Sequence, residues 1–191
     1  MDEYHRKYAS LPNVEVQKRV EEKKQELLVI FSVVPFDKTS ELIQLAVMGC
    51  GDKRFIKAHE RIFSEVLGKS VEVTTFDIKT EHLLEEKRVI KHDCTLPLPG
   101  GPYSITYAHV LLKFVETEKQ WNVIRNSYDA LGPGGMAIHV LDKEDYETKS
   151  QKLRNGQYSV PLDRWREMLE KEEIKHKIVP VKYGQALILI R

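Results

Sequence analysis

The sequence predicts an α/β fold built on a largely parallel sheet, and three observations point there. From Leu42 onward, apolar strand-like runs alternate with amphipathic helical segments, and strands joined by crossover helices pair in parallel with right-handed connections. The first run stops at Gly49 and Gly51, and a helix follows at once; such a junction is where parallel sheets bind nucleotide-like ligands. The chain closes on two strand-like runs joined by Tyr183-Gly184, which reads as an antiparallel hairpin.

Ahead of the sheet, Val16, Val20, Leu27, Phe31 and Val34 put an apolar stripe on a charged helix that Pro35 ends, so this element must dock on something. Its Lys18/Arg19 and Lys23/Lys24 pairs interleave with Glu21, Glu22 and Glu26, which reads as a solvated face. The first strand runs from Leu42 to Met48, and the helix from Lys53 to Leu67 carries Phe55, Ile56, His59, Ile62, Phe63, Val66 and Leu67 at helical spacing with Gly68 as its cap. A second strand, Val71 to Phe76, ends in Asp77. A polar stretch, Thr80 to Glu86, and a strand, Arg88 to His92, come next.

After the Pro-Gly-rich segment Pro97 to Pro102, a strand spans Ser104 to Ala108. Thr117 with Gln120 has the pattern of a capping box, and Trp121, Ile124, Tyr128 and Leu131 give the buried face of the helix it opens. Gly132 to Gly135 reads as a turn before a strand from Met136 to Leu141. Asp142 to Val160 is polar, contains an Asn155-Gly156 turn signal, and is long enough for a functional loop. A helix marked by Leu162, Trp165, Met168 and Leu169 leads into the closing strands, Ile174 to Lys182 and Gln185 to Ile190.

Composition narrows the class. At 191 residues, 41% apolar and 31% charged, the chain suits a globular protein with a full core. The division read here is an amino-terminal helical extension, residues 1–40, packed on a domain of residues 41–191. Thirty basic and 29 acidic side chains leave a net charge of +1, so no global field draws the chain to nucleic acid or to an acidic membrane. The amino terminus is too polar for a signal peptide, and no apolar run reaches the roughly 18 residues of a membrane span; a cytoplasmic protein is expected. Two cysteines, Cys50 and Cys94, predict no structural disulfide there, and His92 with Cys94 lacks the further ligands a metal site needs. His139, inside an apolar strand, reads as a core histidine.

The site begins with the glycines, which permit a tight turn and a close backbone approach at a helix start that presents free N–H groups. Asp77 lies 26 residues after Gly51, somewhat beyond the typical separation of about 20 at which a carboxylate on the second strand reaches ribose hydroxyls. Taken in order, Val47-Met-Gly-Cys-Gly51, Thr75-Phe-Asp77, His92-Asp-Cys-Thr-Leu-Pro-Leu-Pro99, Tyr103 to Phe114 and Leu131-Gly-Pro-Gly-Gly135 resemble the motifs of class I S-adenosylmethionine-dependent methyltransferases. The resemblance covers Glu41 to Arg191. It implies a Rossmann-like three-layer sandwich with a seven-stranded, mostly parallel sheet in the order 3-2-1-4-5-7-6, strand seven antiparallel. It further implies that S-adenosyl-L-methionine is held by Gly49, Cys50, Gly51, Asp77, Ile78, Asp93, Cys94 and Tyr107, with Asp93 at the adenine amino group.

Two positions depart from the family pattern: Val47 stands where an acid is common, and Lys53 where a third glycine is. Lys53 and Arg54 either reach the cofactor's carboxylate or point to solvent. Tyr107, His109, Asp142 and Tyr146 fall at the carboxyl ends of the strands, where substrates arrive. His109 is the general-base candidate, since histidine titrates near neutral pH, and Tyr107 is the second catalytic candidate. No Asn/Asp-Pro-Pro-aromatic signature and no Pro-Cys pair occurs, which turns the reading away from exocyclic adenine or glutamine methylation and from cytosine C5 methylation. The methyl acceptor stays open between small molecule, protein and RNA. The alternative is a catalytically inactive methyltransferase-like module that meets a protein partner through the amino-terminal helix. A nicotinamide-dependent oxidoreductase is disfavoured by the missing Tyr-x-x-x-Lys pair.

Overall fold

The computed structural model describes residues 10–36, 39–83, 86–147 and 156–191. Seven strands form one sheet: β1 (Leu42–Met48), β2 (Ser70–Asp77), β3 (Val89–Lys91), β4 (Tyr103–His109), β5 (Leu131–Asp142), β6 (Lys175–Val181) and β7 (Gly184–Ile190). Their order is β3-β2-β1-β4-β5-β7-β6, with β7 antiparallel to both neighbours and the rest parallel. The helices are α1 (Asn13–Val33), α2 (Arg54–Leu67), α3 (Thr117–Asp129), α4 (Lys143–Glu147) and α5 (Leu162–Lys171), with 3₁₀ turns at Glu81–Leu83 and Leu112–Phe114.

Strand alternation divides the core in two. On β1, Ile43, Leu45 and Val47 face one layer while Ala46 and Met48 face the other, as the period of two requires. Ile62 and Phe63 of α2 join the first layer, together with Val16, Val20, Leu27 and Ile30 of α1; Val123 and Ile124 of α3 and Trp165 and Leu169 of α5 join the second. The apolar stripe on α1 therefore lies within the same core as the strands. Gly68 caps α2 in the left-handed conformation, φ 63°, and its N–H donates to Ser64.

The strand order reverses between β1 and β4. The connection through α2 carries the chain to β2 on one side, and the connection through α3 carries it from β4 to β5 on the other. At that reversal the two crossovers diverge and leave a crevice at the carboxyl ends of β1 and β4.

Several local expectations are corrected. Gly132 to Gly135 belongs to β5 as an irregularity rather than a separate turn, since pairing slips between Tyr103/Leu131 and Ile105/Met136, and Gly134 N–H donates to Arg191 while Arg191 N–H donates to Gly135. Leu131 consequently lies in β5, beyond the end of α3. Thr117 and Gln120 form no capping box. Glu116 is the N-cap without a side-chain cap bond, the Thr117 hydroxyl donates to Ser159 O, and the buried Gln120 amide donates to Leu112, Val115 and Ser159 carbonyls. The segment after β5 starts with α4 instead of loop; Asn155, half of the turn signal read there, lies outside the described residues.

Candidate functional site

The glycine elbow is built by backbone chemistry. Gly49 has φ 78°, so glycine is favoured by the backbone conformation, and a Cβ there would also press on the Leu111 Cδ1 at 2.9 Å. Its N–H donates to Phe76 O at 2.7 Å. The following N–H, of Cys50, donates to the Asp77 Oδ2 at 2.8 Å, while the Asp77 Oδ1 accepts from Lys79 N–H at 2.9 Å. The elbow after β1 and the acid ending β2 are thus one hydrogen-bonded unit. His82, on the 3₁₀ turn after β2, adds a 2.7 Å contact from its Nε2 to the Cys50 carbonyl.

A cavity of about 780 Å³ opens over this unit, within the range of about 300–1,000 Å³ typical of small-molecule sites. Gly49, Cys50, Gly51, Asp77, Ile78, Tyr107 and His109 all line it, as do Val47, Phe55, His59 and Asp142. Asp93 and Cys94 are outside its lining, on the turn after β3, where the Asp93 Oδ1 accepts from Thr95 N–H and the Cys94 carbonyl accepts from Asn126. Tyr146 lines a separate shallow hollow with Lys143, Glu147 and Lys182.

Neither reading of the first helical turn of α2 survives intact. Lys53 is exposed and does not line the cavity. Arg54 turns away from it: Nε bonds both oxygens of the buried Asp52 at 3.0 Å, and one terminal nitrogen donates to Leu11 O and to the Asn13 Oδ1. The arginine joins α2 to the start of α1.

The side missed in the sequence is α1, which closes the cavity with Arg19, Glu22, Lys23 and Glu26. These four recur at helical spacing and do not form the solvated face expected of them. Glu26 is 5% exposed, and its Oε2 lies 3.0 Å from the His109 Nε2. Lys23 sits over the rings of Phe55 and Tyr107, at 5.6 and 5.9 Å from their centroids. Glu22 accepts from the Tyr183 hydroxyl at 2.7 Å and from Lys182, which pins α1 to the β6–β7 turn. A signal for Lys23 existed: it occupies the stripe position between Val20 and Leu27, where an apolar residue belongs.

Electrostatics follow from burial. Burial pushes the Lys23 ammonium down to about 7, with the nearby Glu26 carboxylate opposing. Burial and the positive charge of Lys23 lower His109, against the Glu26 contact; the neutral ring then donates Nε2–H to Glu26 and keeps Nδ1 as its basic nitrogen. Burial, then Glu26, raise Tyr107 well above the usual phenol range, so it offers a hydroxyl and not a phenolate base. Burial also raises Cys50 and Cys94 to about 12, which leaves both as thiols.

Two polar groups on the cavity wall lack partners among the described residues: both ring nitrogens of His59 and the Tyr107 hydroxyl. Their rings meet edge to face at 5.7 Å. Buried polar atoms are ordinarily bonded, so this end of the cavity has capacity for a ligand.

Beside the site, Asp142, Glu144 and Asp145 bring carboxylate oxygens within 4.8 Å of one another. The Lys113 ammonium holds this cluster together, at 2.9 Å from Asp142 and 3.1 Å from Asp145. Burial works against the ammonium, but its bonds to Asp142 and Asp145 outweigh that and raise its pKa.

No family model and no curated protein matches the sequence. Solved structures do match the fold. DesVI of Streptomyces venezuelae superposes with a TM-score of 0.66 at 9% identity, over 95% of this chain and 99% of that one. A S-adenosylmethionine-dependent methyltransferase from Clostridium acetobutylicum ATCC 824 gives 0.64 at 10% identity over 97% of each chain. The chain has the class I methyltransferase fold. A third similar structure, the O-methyltransferase NcsB1 of neocarzinostatin biosynthesis in complex with S-adenosylmethionine and 2-hydroxy-5-methyl naphthoic acid, matches at 0.56 and 13% identity over 85% of this chain and 53% of that chain. In this methyltransferase fold, the cavity lies at the crevice that the strand reversal selects.

Proposed function

We propose that the chain is an S-adenosyl-L-methionine-dependent methyltransferase of the cytoplasm, acting on an acceptor that approaches His109. The observation that carries this reading is the union of elbow and acid: a Cys50 N–H to Asp77 bond of 2.8 Å on the wall of a cavity of about 780 Å³. The wall fits the cofactor chemically. Asp77 spends one lone pair of each oxygen on a backbone amide and retains others for two ribose hydroxyls. Ile78, 59% exposed beside it, offers an apolar surface to an adenine face, and the glycines keep side chains out of the approach.

When bound, S-adenosyl-L-methionine would supply a methyl group made electrophilic by its sulfonium. The protein's own tasks are alignment and proton removal. His109 takes the acceptor's proton at Nδ1, because Nε2–H is committed to Glu26, and the Glu26 carboxylate stabilises the imidazolium that results. In this reading α1 is a wall of the active site, with Glu26 as a positioning residue. Transfer of tritium from methyl-labelled S-adenosylmethionine into any fraction of a cell extract tests the reading, and His109→Gln should abolish most of it. Val47, apolar where a charged anchor is common, favours a second reading, a module that binds the cofactor without turnover; calorimetric binding with no label transfer to any fraction would support that one.

A further inference from the structure

The end of the cavity beside Val47 is polarised opposite to what an ammonium-binding acid would make it. Val47 is uncharged, and its cross-strand partner is Tyr107. The side chains of Tyr107 itself, His59 and Lys23 line the same cavity and have no hydrogen-bond partners among the described residues. The Tyr107 hydroxyl and both His59 nitrogens are buried, at 0% and 3% exposure. Lys23, which makes no hydrogen bond or ion pair among the described residues, holds its ammonium over the Phe55 and Tyr107 rings. The rings supply cation–π attraction, but they do not satisfy the ammonium's three donors.

We propose that Lys23, His59 and Tyr107 form a recess that binds a carboxylate. Lys23 supplies the charge, the Tyr107 hydroxyl and one His59 N–H supply directional donors, and Phe55 and Val47 line the same cavity with apolar surface. A hydroxyl or amide ligand would leave the ammonium uncompensated, and a cation would meet it head on. Burial already pushes Lys23 down to about 7, so an arriving anion relieves a real desolvation cost. The Glu26 carboxylate is the leading charge favouring the Lys23 ammonium, but it is held by His109. The recess thus inverts the polarity of a family position that more often carries an acid, and it uses α1 to do so.

The carboxylate has two sources, the amino-acid end of the cofactor or an acidic methyl acceptor; the first rests on the function proposed above. Calorimetry on the full chain separates them, using S-adenosylhomocysteine, its decarboxylated analogue and benzoate as probes, with Lys23→Met and Tyr107→Phe checked for fold by circular dichroism. If the cofactor fills the recess, the wild type prefers S-adenosylhomocysteine over the decarboxylated analogue by about tenfold or more, and Lys23→Met erases the preference. If the acceptor fills it, both adenosyl ligands bind wild type and Lys23→Met alike, while benzoate binds the S-adenosylhomocysteine-loaded wild type and not the variant. Tyr107→Phe should weaken the affected ligand several-fold in either case. Benzoate binding that depends on Lys23, in a protein that ignores both adenosyl ligands, would leave the recess standing and remove the methyltransferase reading. Folded Lys23→Met with unchanged affinity for all three probes would overturn the proposal.

Discussion

His139 shows how a single buried group sets a pH dependence. It is fully buried on β5 and in contact with the Ser127 hydroxyl at 2.8 Å. That hydroxyl's proton goes to Ile124 O, so it accepts from His139 Nε2–H, and Nδ1 is bare. Burial depresses the ring to about 4 from 6.5. Below pH 6.5 the unfolded chain therefore binds a proton that the folded one refuses. The stabilisation from a neutral His139 is complete above about pH 6.5 and disappears as the pH falls toward 4, by about 3 kcal/mol in all. Urea unfolding of wild type and His139→Leu across that window should give a flatter profile for the variant; parallel profiles would refute the assignment. His139 was legible as core and Asp77 as the residue ending the second strand, because each sits in a strand whose period fixes its place. Lys23 and Glu26 were misread, since charge on a helix is ordinarily solvated and only a contact 83 residues away, with His109, makes Glu26 an interior group.

Elements are held by a few specific ties. Lys113, on the turn after β4, joins the end of β5 to α4 through Asp142 and the fully buried Asp145. Removing the ammonium leaves buried carboxylate unpaired, so Lys113→Met should cost about 2–3 kcal/mol in chemical denaturation; no loss would mean the acids relax into solvent. At the elbow, Gly49→Ala should cost about 1–2 kcal/mol from the left-handed backbone, and the Leu111 contact at 2.9 Å adds to it unless that side chain swings away. Full stability of this variant would contradict the conformation assigned to the turn. The alternation of strand and helix made the elements legible with their order. Their ends were less so: Gln120 resembled a cap residue, yet three carbonyls from neighbouring segments claim its amide, a tertiary competition no local pattern encodes. The glycines before Met136 resembled a turn, yet Arg191 pairs with them from the chain's last residue.

For the whole molecule, the sheet's reversal point, the cavity above it and the helix that walls it make one arrangement. The strand order was legible through the family resemblance that the ordered motifs carry, and the closing hairpin was legible on its own. The role of α1 was not, because no sequence motif announces which side of a helix will meet a crevice. The central claim is that elbow and acid jointly hold an adenosine moiety. Replacing Asp77 by Ala removes the acceptor for Cys50 N–H as well as the one proposed for ribose, so binding should suffer even where the fold persists. Calorimetric titration with S-adenosylhomocysteine tests this most directly: the wild type should bind saturably, and Asp77→Ala should bind more weakly by about 1.5–3 kcal/mol, a loss of roughly 10- to 150-fold. Absence of binding to the wild type at high micromolar ligand, or equal affinity in a folded Asp77→Ala protein, would contradict it.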